Sequence, residues 1–140
     1  MQNRKAAPGY LLRLELGEKF NETLLSFCEK EGINAAHFTA VGAVEQVELG
    51  FYDLPSKTYS FRLFTTPMEL VSMTGNISLV EGKPFIHAHG VFSDEKFATF
   101  GGHVKDAIAG PTIEIFLTSL EGEISRKMDE EMGLKLLDLS

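Results

Sequence analysis

The segment HAHGVFSDEKFATFGGH, residues 87–103, holds three of the 4 histidines in the chain. Imidazole is a common metal ligand and titrates near neutral pH, so three in one short segment can bind an ion or move a proton. His87 and His89 are two apart in a strand-like run, which places both rings on one face. That spacing lets two ring nitrogens converge on one ion, at about 2.0–2.1 Å from each if it is zinc. His103 has to arrive from across a turn, and SDEK supplies one. A turn centred on Asp94 and Glu95 sets His87 opposite Gly102 and His89 opposite Phe100. A turn of Asp94 to Lys96 sets His87 opposite His103. A one-residue slip flips every side chain to the other face, so a three-histidine site requires the second register or a bulge at Gly101 and Gly102. The expected metal ligands are His87, His89 and His103. Three protein ligands leave a fourth position for water, a small ligand or a group from another subunit, whereas structural zinc sites are usually closed by four. Zinc-bound water has a pKa of about 7, which opens hydrolytic chemistry without naming a reaction.

Other chemistries find less support. The chain holds no G-x-S-x-G elbow, no P-loop and no G-x-G-x-x-G after a strand. The glycines of FGGHV lie between apolar residues and read as tight packing or a bulge rather than a phosphate cradle. His37 has no partner at ligand spacing and reads as structural. Asp94 and Glu95 read as solvated turn residues. Glu69, Asp106 and Glu114 could orient a histidine from behind, although a surface charge is the commoner fate of such carboxylates. Arg126, just after a strand, has a subunit contact, an anion in the site, or plain exposure open to it.

Such a site needs a sheet to carry it. After a polar lead at residues 1–8, YLLRLEL (10–16) reads as a strand with Leu12, Leu14 and Leu16 on one face. GEKFNETLLSFCEKEG (17–32) changes period: Phe20, Leu24, Phe27 and Cys28 form one face of an amphipathic helix, and Gly32 suits its C-cap. From Ile33 the pattern is β. AAHFTAVGAV and VELGFYD read as strands with turn or bulge signals at Gly42 and Gly50, and PSKT turns the chain into YSFRLF. MELVSMTGNISLV is a long strand broken or bulged near Gly75 and Asn76. FIHAHGVF, FATFGGHV and PTIEIFLTSL follow, the last with Ile113, Ile115 and Leu117 alternating with Thr112, Glu114 and Phe116. The tail MDEEMGLKLLDL reads as a short helix or as irregular. One helix after the first strand, then a run of strands, predicts a single α+β domain over residues 9–140 with a mainly antiparallel sheet. Its edge strands need cover, and oligomerisation is one way to provide it.

At 140 residues the chain is long enough for one core and short for two. Its hydrophobic fraction of 44% and charged fraction of 24% are those of an ordered globular domain. A net charge of -7 and a pI near 5.1 oppose unaided DNA binding, which draws affinity from cations on phosphates. The 13 basic residues are scattered, and only Arg4 and Lys5, and Arg126 and Lys127, are adjacent. Cys28 is the single cysteine, which excludes an internal disulfide and fits a reducing compartment. The first residues lack the apolar core of a signal peptide, and no apolar run is long enough to cross a membrane. The expected location is the cytoplasm.

These residues also carry a family likeness. In order, YLLRLELGEKFNETLLSFCEKEGI, AVGAVEQVELGFYD, MELVSMTGNISLVEGKPFIHAHGVFSD, FGGHV, TIEIFLT and SRKMDEEMGLKLL resemble the plant and prokaryote conserved (PPC) domain over nearly the whole chain. The H-x-H and G-G-H elements of that domain fall on His87, His89 and His103. The resemblance implies a compact α+β fold assembling as a homotrimer, with those histidines as a divalent metal site, most plausibly zinc. In plants the domain follows AT-hooks in nuclear DNA-binding proteins, so a DNA-associated regulatory role is the alternative it implies. This sequence has no Arg-Gly-Arg-Pro hook to enter a minor groove, as in stand-alone prokaryotic members. Three functions follow: a trimeric metal protein with an open position for a small ligand or unassigned chemistry, a DNA-associated regulator, and an oligomerisation module whose metal only ties strands together.

Overall fold

Period-two burial builds the sheet. Ile113, Ile115 and Leu117 are buried while Glu114 and Phe116 between them are exposed, and the same alternation runs through Ala36, Phe38 and Ala40. The computed structural model describes all 140 residues. Its elements are β1 (Gln2–Ala6), β2 (Gly9–Leu14), α1 (Phe20–Glu31), β3 (Ala36–Asp53), β4 (Thr58–Phe64), β5 (Met68–Val80), β6 (Lys83–Ser93), β7 (Thr99–Ser119), β8 (Ser125–Asp129) and β9 (Leu134–Asp138). The α+β architecture is as expected: every strand pairing is antiparallel except one parallel contact of β8 with β5. No helix is long and apolar enough to cross a membrane.

The helix buries Phe20, Leu24, Phe27 and Cys28, the face expected from their spacing, and packs against β6 and β7. Gly32 ends it in the left-handed conformation at φ 66°, and its N–H bonds back to the last turn. Lys19 at the N-cap makes no side-chain cap. The carboxylate of Asp106, from β7, takes that place by accepting from Asn21 N at 3.1 Å. Burial pushes the Cys28 thiol up to about 12, which keeps it inert.

Five features differ from the sequence expectation. Residues 2–6, expected as part of a polar lead, form β1 along β2, so the helix follows two strands rather than one. Every β1 side chain is exposed, which left no apolar alternation to reveal it. AAHFTAVGAV and VELGFYD join into β3, and FATFGGHV and PTIEIFLTSL join into β7. In β3 the chain bulges at Gly42 without stopping. A Cβ on Gly42 would stand 2.2 Å from the Thr112 carbonyl oxygen, and φ there is 144°, so both backbone approach and conformation select glycine. The irregularity of β5 falls at Val71, and Gly75 and Asn76 continue the strand. The tail is neither helical nor irregular but a hairpin, β8 to β9, turned near Gly133 at φ 69°.

The two long strands let the sheet close. The first half of β3 pairs with β5, and β3 pairs with β7 along most of its length. Strand β6 pairs with both β5 and β7, so β3, β5, β6 and β7 form a ring. Its inner face and α1 enclose one cluster of 25 buried residues, including Phe20, Phe38, Phe92 and Met73. The outer face of β6 carries His87 and His89.

Phe38 is fully buried, lies 5.9 Å from the Phe20 ring, and would clash at 2.5 Å with a Cβ on Gly75. Phe38→Ala is expected to cost about 3–5 kcal/mol by leaving a cavity between α1 and the ring of strands. Urea unfolding checks this, and a loss below about 1 kcal/mol would contradict a close-packed interior at Phe38.

Candidate metal centre

The turn after β6 fixes which histidines meet. Asp94 Oδ1 accepts from Lys96 N at 2.8 Å and Ala98 N at 3.0 Å, and Asp94 N donates to the Ala98 carbonyl at 3.0 Å. Phe97 takes a positive φ of 62° to complete the reversal. The loop therefore runs from Asp94 to Ala98, and Ser93 pairs with Thr99. Both shorter turns expected from SDEK are corrected: His103 stands opposite His89 rather than His87 or a neighbour of it. No bulge occurs at Gly101 and Gly102, which pair in register with Val91 and Gly90. The longer loop nevertheless has the parity that puts His103 on the face of His89, and therefore of His87. Asp94, expected to be solvated, organises this turn through its carboxylate.

The three rings form a nearly even triangle. Centroids are 5.2 Å apart for His87 and His89, 5.5 Å for His87 and His103, and 5.6 Å for His89 and His103. One ligand nitrogen from each lies within 4.8 Å of the others. Tetrahedral zinc would hold such nitrogens about 3.4 Å apart, a gap within reach of side-chain rotation. His87 and His103 are half-buried, and His89 is exposed. Nδ1 of His103 is buried with no hydrogen-bond partner, a lone polar atom that an ion can satisfy. Burial first, then the charges of Arg126, His103 and His89, hold His87 down to about 4. Burial and then His89 lower His103 as well. Both rings are therefore neutral at pH 7, the form that binds metal. Donor type, number and convergence all fit a divalent ion such as zinc.

Surrounding residues set these rings in place. His103 pairs with Gly50 across β3, and a Cβ on Gly50 would lie 2.7 Å from Phe61 Cε1 and 3.2 Å from Tyr59 Cδ1. The missing side chain lets Tyr59 reach the His103 ring at 5.1 Å. Gly102 also allows close approach, since its Cβ would stand 2.7 Å from the Gly50 carbonyl oxygen. On the other side His87 pairs with Asn76, whose Oδ1 accepts from Arg126 Nη2 at 2.9 Å. Arg126 also donates from Nε to buried Ser78 and from Nη1 to the Lys135 carbonyl, and lies 5.5 Å from the Phe85 ring. It is anchored beside the site rather than simply exposed. Asn76 and Tyr59 carried no sequence signal, because only strand pairing brings them to the histidines.

None of the three carboxylates considered as orienting groups makes a recorded hydrogen bond to a histidine. Asp106 caps α1 and accepts from Ala107 N at 2.8 Å. Glu69 pairs with Ser93 at the far end of β6, and Glu114 faces Arg13 and Val41 on the other half of β7. His37, read as structural, has come closer than its spacing suggested. It pairs with Asn76 and lines an open pocket of about 290 Å³ with Thr74, Gly75, Asn76, His87 and His89. It is not among the three whose ligand atoms converge.

Residues 1–121 match the Plants and Prokaryotes Conserved (PCC) domain. Similar solved structures include a presumed DNA-binding protein from Ralstonia eutropha, at 32% identity and TM-score 0.92, covering 99% of this chain and 96% of that one. A metal-containing protein from Archaeoglobus fulgidus is 37% identical with TM-score 0.85, covering 90% and 89% of the two chains. A plant- and prokaryote-conserved protein from Pyrococcus horikoshii is 35% identical with TM-score 0.87, covering 92% and 90%. No curated protein matches the chain.

The depressed histidines give the metal-free protein a pH dependence with a definite sign. An unfolded chain takes up protons near 6.5, while folded His87 resists them until about 4. Folded-state stability is thus present above about 6.5 and is lost as pH falls toward about 4. Solvent around half-exposed His87 reduces the size of this effect. The urea midpoint of metal-free protein should fall across that window, and His87→Phe should flatten the fall. An equally steep fall in the variant would contradict the assignment to His87.

Proposed function

The chain belongs to the Plants and Prokaryotes Conserved domain family, and from that membership and the site geometry we propose that it is a metal-binding protein using His87, His89 and His103. The ion is divalent, and an all-imidazole donor set favours zinc. The protein acts as a homotrimer, with an open metal position for a small ligand. The convergence of three ligand nitrogens within 4.8 Å carries this reading. The lowered pKa of His87 and His103 and the unpartnered Nδ1 of His103 support it, as does the metal-containing relative at 37% identity.

When bound, zinc would supply a Lewis acid and lower the pKa of a coordinated water. The protein's part is to hold three imidazoles on one outer face, with Tyr59 against His103 and Asn76 beside His87. No general acid or base is assigned, and a binding or regulatory role is favoured over a reaction. Trimer formation has apolar surface to bury, including Phe51 and Phe97 at 70% and 88% exposure. The lone buried Cys28 suits a reducing compartment such as the cytoplasm.

DNA binding is the second reading, brought by the name of the Ralstonia relative. The chain gives it less support than it gives the metal. Arg126 is turned inward to Ser78, Asn76 and the Lys135 carbonyl, and Lys127 pairs with Asp138. Of the two adjacent basic pairs, that leaves Arg4 and Lys5 on β1 to meet phosphates, in a chain of net charge -7.

Metal analysis of protein purified without a histidine tag tests the proposal. The wild type should carry about one ion per chain, and a His87→Ala, His89→Ala, His103→Ala variant should carry almost none while keeping its far-ultraviolet circular dichroism. Absence of stoichiometric metal in the wild type, or unchanged metal in the triple variant, would overturn it.

A further inference from the structure

The outer face beside the histidines carries two rows of side chains across the strands. One runs His37, Asn76, His87 over β3, β5 and β6. The next runs Thr39, Thr74, His89, His103 over β3, β5, β6 and β7. Residues opposite one another in a ladder share a face, so both rows border the same space. Their central members line the open pocket of about 290 Å³. None of the six lining residues is acidic, although the chain has 20 acidic residues against 13 basic ones.

The polarity of that pocket is set by Arg126. A guanidinium has donors only, so its bond from Nη2 to Asn76 requires the amide to present Oδ1 to it. Asn76 Nδ2, which makes no hydrogen bond within the chain, is therefore left as a fixed donor for whatever occupies the pocket. Thr74 contributes no such donor, because its hydroxyl is directed at the Phe38 carbonyl at 3.4 Å. The pocket thus offers an amide N–H and the exposed His37 ring, with one positive charge behind the amide.

We infer that this pocket receives a small carboxylate held by Asn76 Nδ2 and His37 beside the histidine centre, with Arg126 as the residue that positions Asn76. The inference rests on the metal reading above and extends it to the class of ligand. A singly charged, planar anion matches two donors and one nearby cation. A phosphate dianion would leave further oxygens without donors among the lining residues.

Cobalt-loaded protein gives a direct test, since its visible spectrum reports ligands at the metal. Glycolate should perturb the spectrum saturably, and uncharged ethylene glycol should not. Asn76→Leu and Arg126→Met should each weaken glycolate binding by at least about tenfold, the scale for losing a hydrogen bond to a charged acceptor. Both variants should bind imidazole like the wild type, because imidazole needs only the open metal position. A merely structural role for Arg126 would weaken glycolate and imidazole together. Cobalt uptake with no glycolate binding, unchanged glycolate affinity in Asn76→Leu, or tighter binding of inorganic phosphate would overturn the inference alone. Failure of the wild type to take up cobalt would overturn the metal reading and this inference with it.

Discussion

Asp94 closes the turn between β6 and β7 by accepting from Lys96 N and Ala98 N, and that closure sets His89 opposite His103. A sheet has only two faces, so the number of residues in this loop decides whether three histidines share one or are divided between both. Loop length here gives the converging parity. Everything else at the site acts on rings already placed together: Gly50 makes room for Tyr59 against His103, and Arg126 fixes the amide next to His87. The site thus stands on paired strands, whose backbone bonds hold it more rigidly than loops would.

The long strands explain how one small domain supports such a face. Gly42 lets β3 bulge and change partners without ending, which closes β3, β5, β6 and β7 into a ring. The inner side of β6 presents Ala88 and Phe92 to the core while its outer side presents His87 and His89. Burial on one side holds the register that function needs on the other.

Local pattern made much of this readable from the sequence. The helix from Phe20 to Glu31, its buried face and its Gly32 cap follow from a 3.6-residue period. The three candidate ligands follow from two-residue strand periodicity and a turn signal. What depended on non-local pairing was hidden. The turn register needed the Asp94 side chain to act on the backbone, which composition does not reveal. Strand β1 has no buried face, and the β8 to β9 hairpin has only partial burial, so neither left a periodic trace. Arg126 was noticeable as a residue but not as a neighbour of Asn76, because one parallel contact between β5 and β8 brings it there. His37 was set aside for want of a partner in sequence, and the ladder through Asn76 supplied the neighbourhood.

A pocket without acidic residues in an acidic chain is the electrostatic counterpart of that geometry. Neutral imidazoles half-buried beside an anchored guanidinium favour binding of a metal ion together with an anion, while the rest of the surface keeps its net negative charge. X-ray absorption at the zinc edge, on protein purified with its own metal, tests the centre most directly. The three-histidine centre predicts three imidazole nitrogens at about 2.0–2.1 Å with a further oxygen or nitrogen completing the shell. A sulfur scatterer, or a shell of oxygens without imidazole rings, would contradict it.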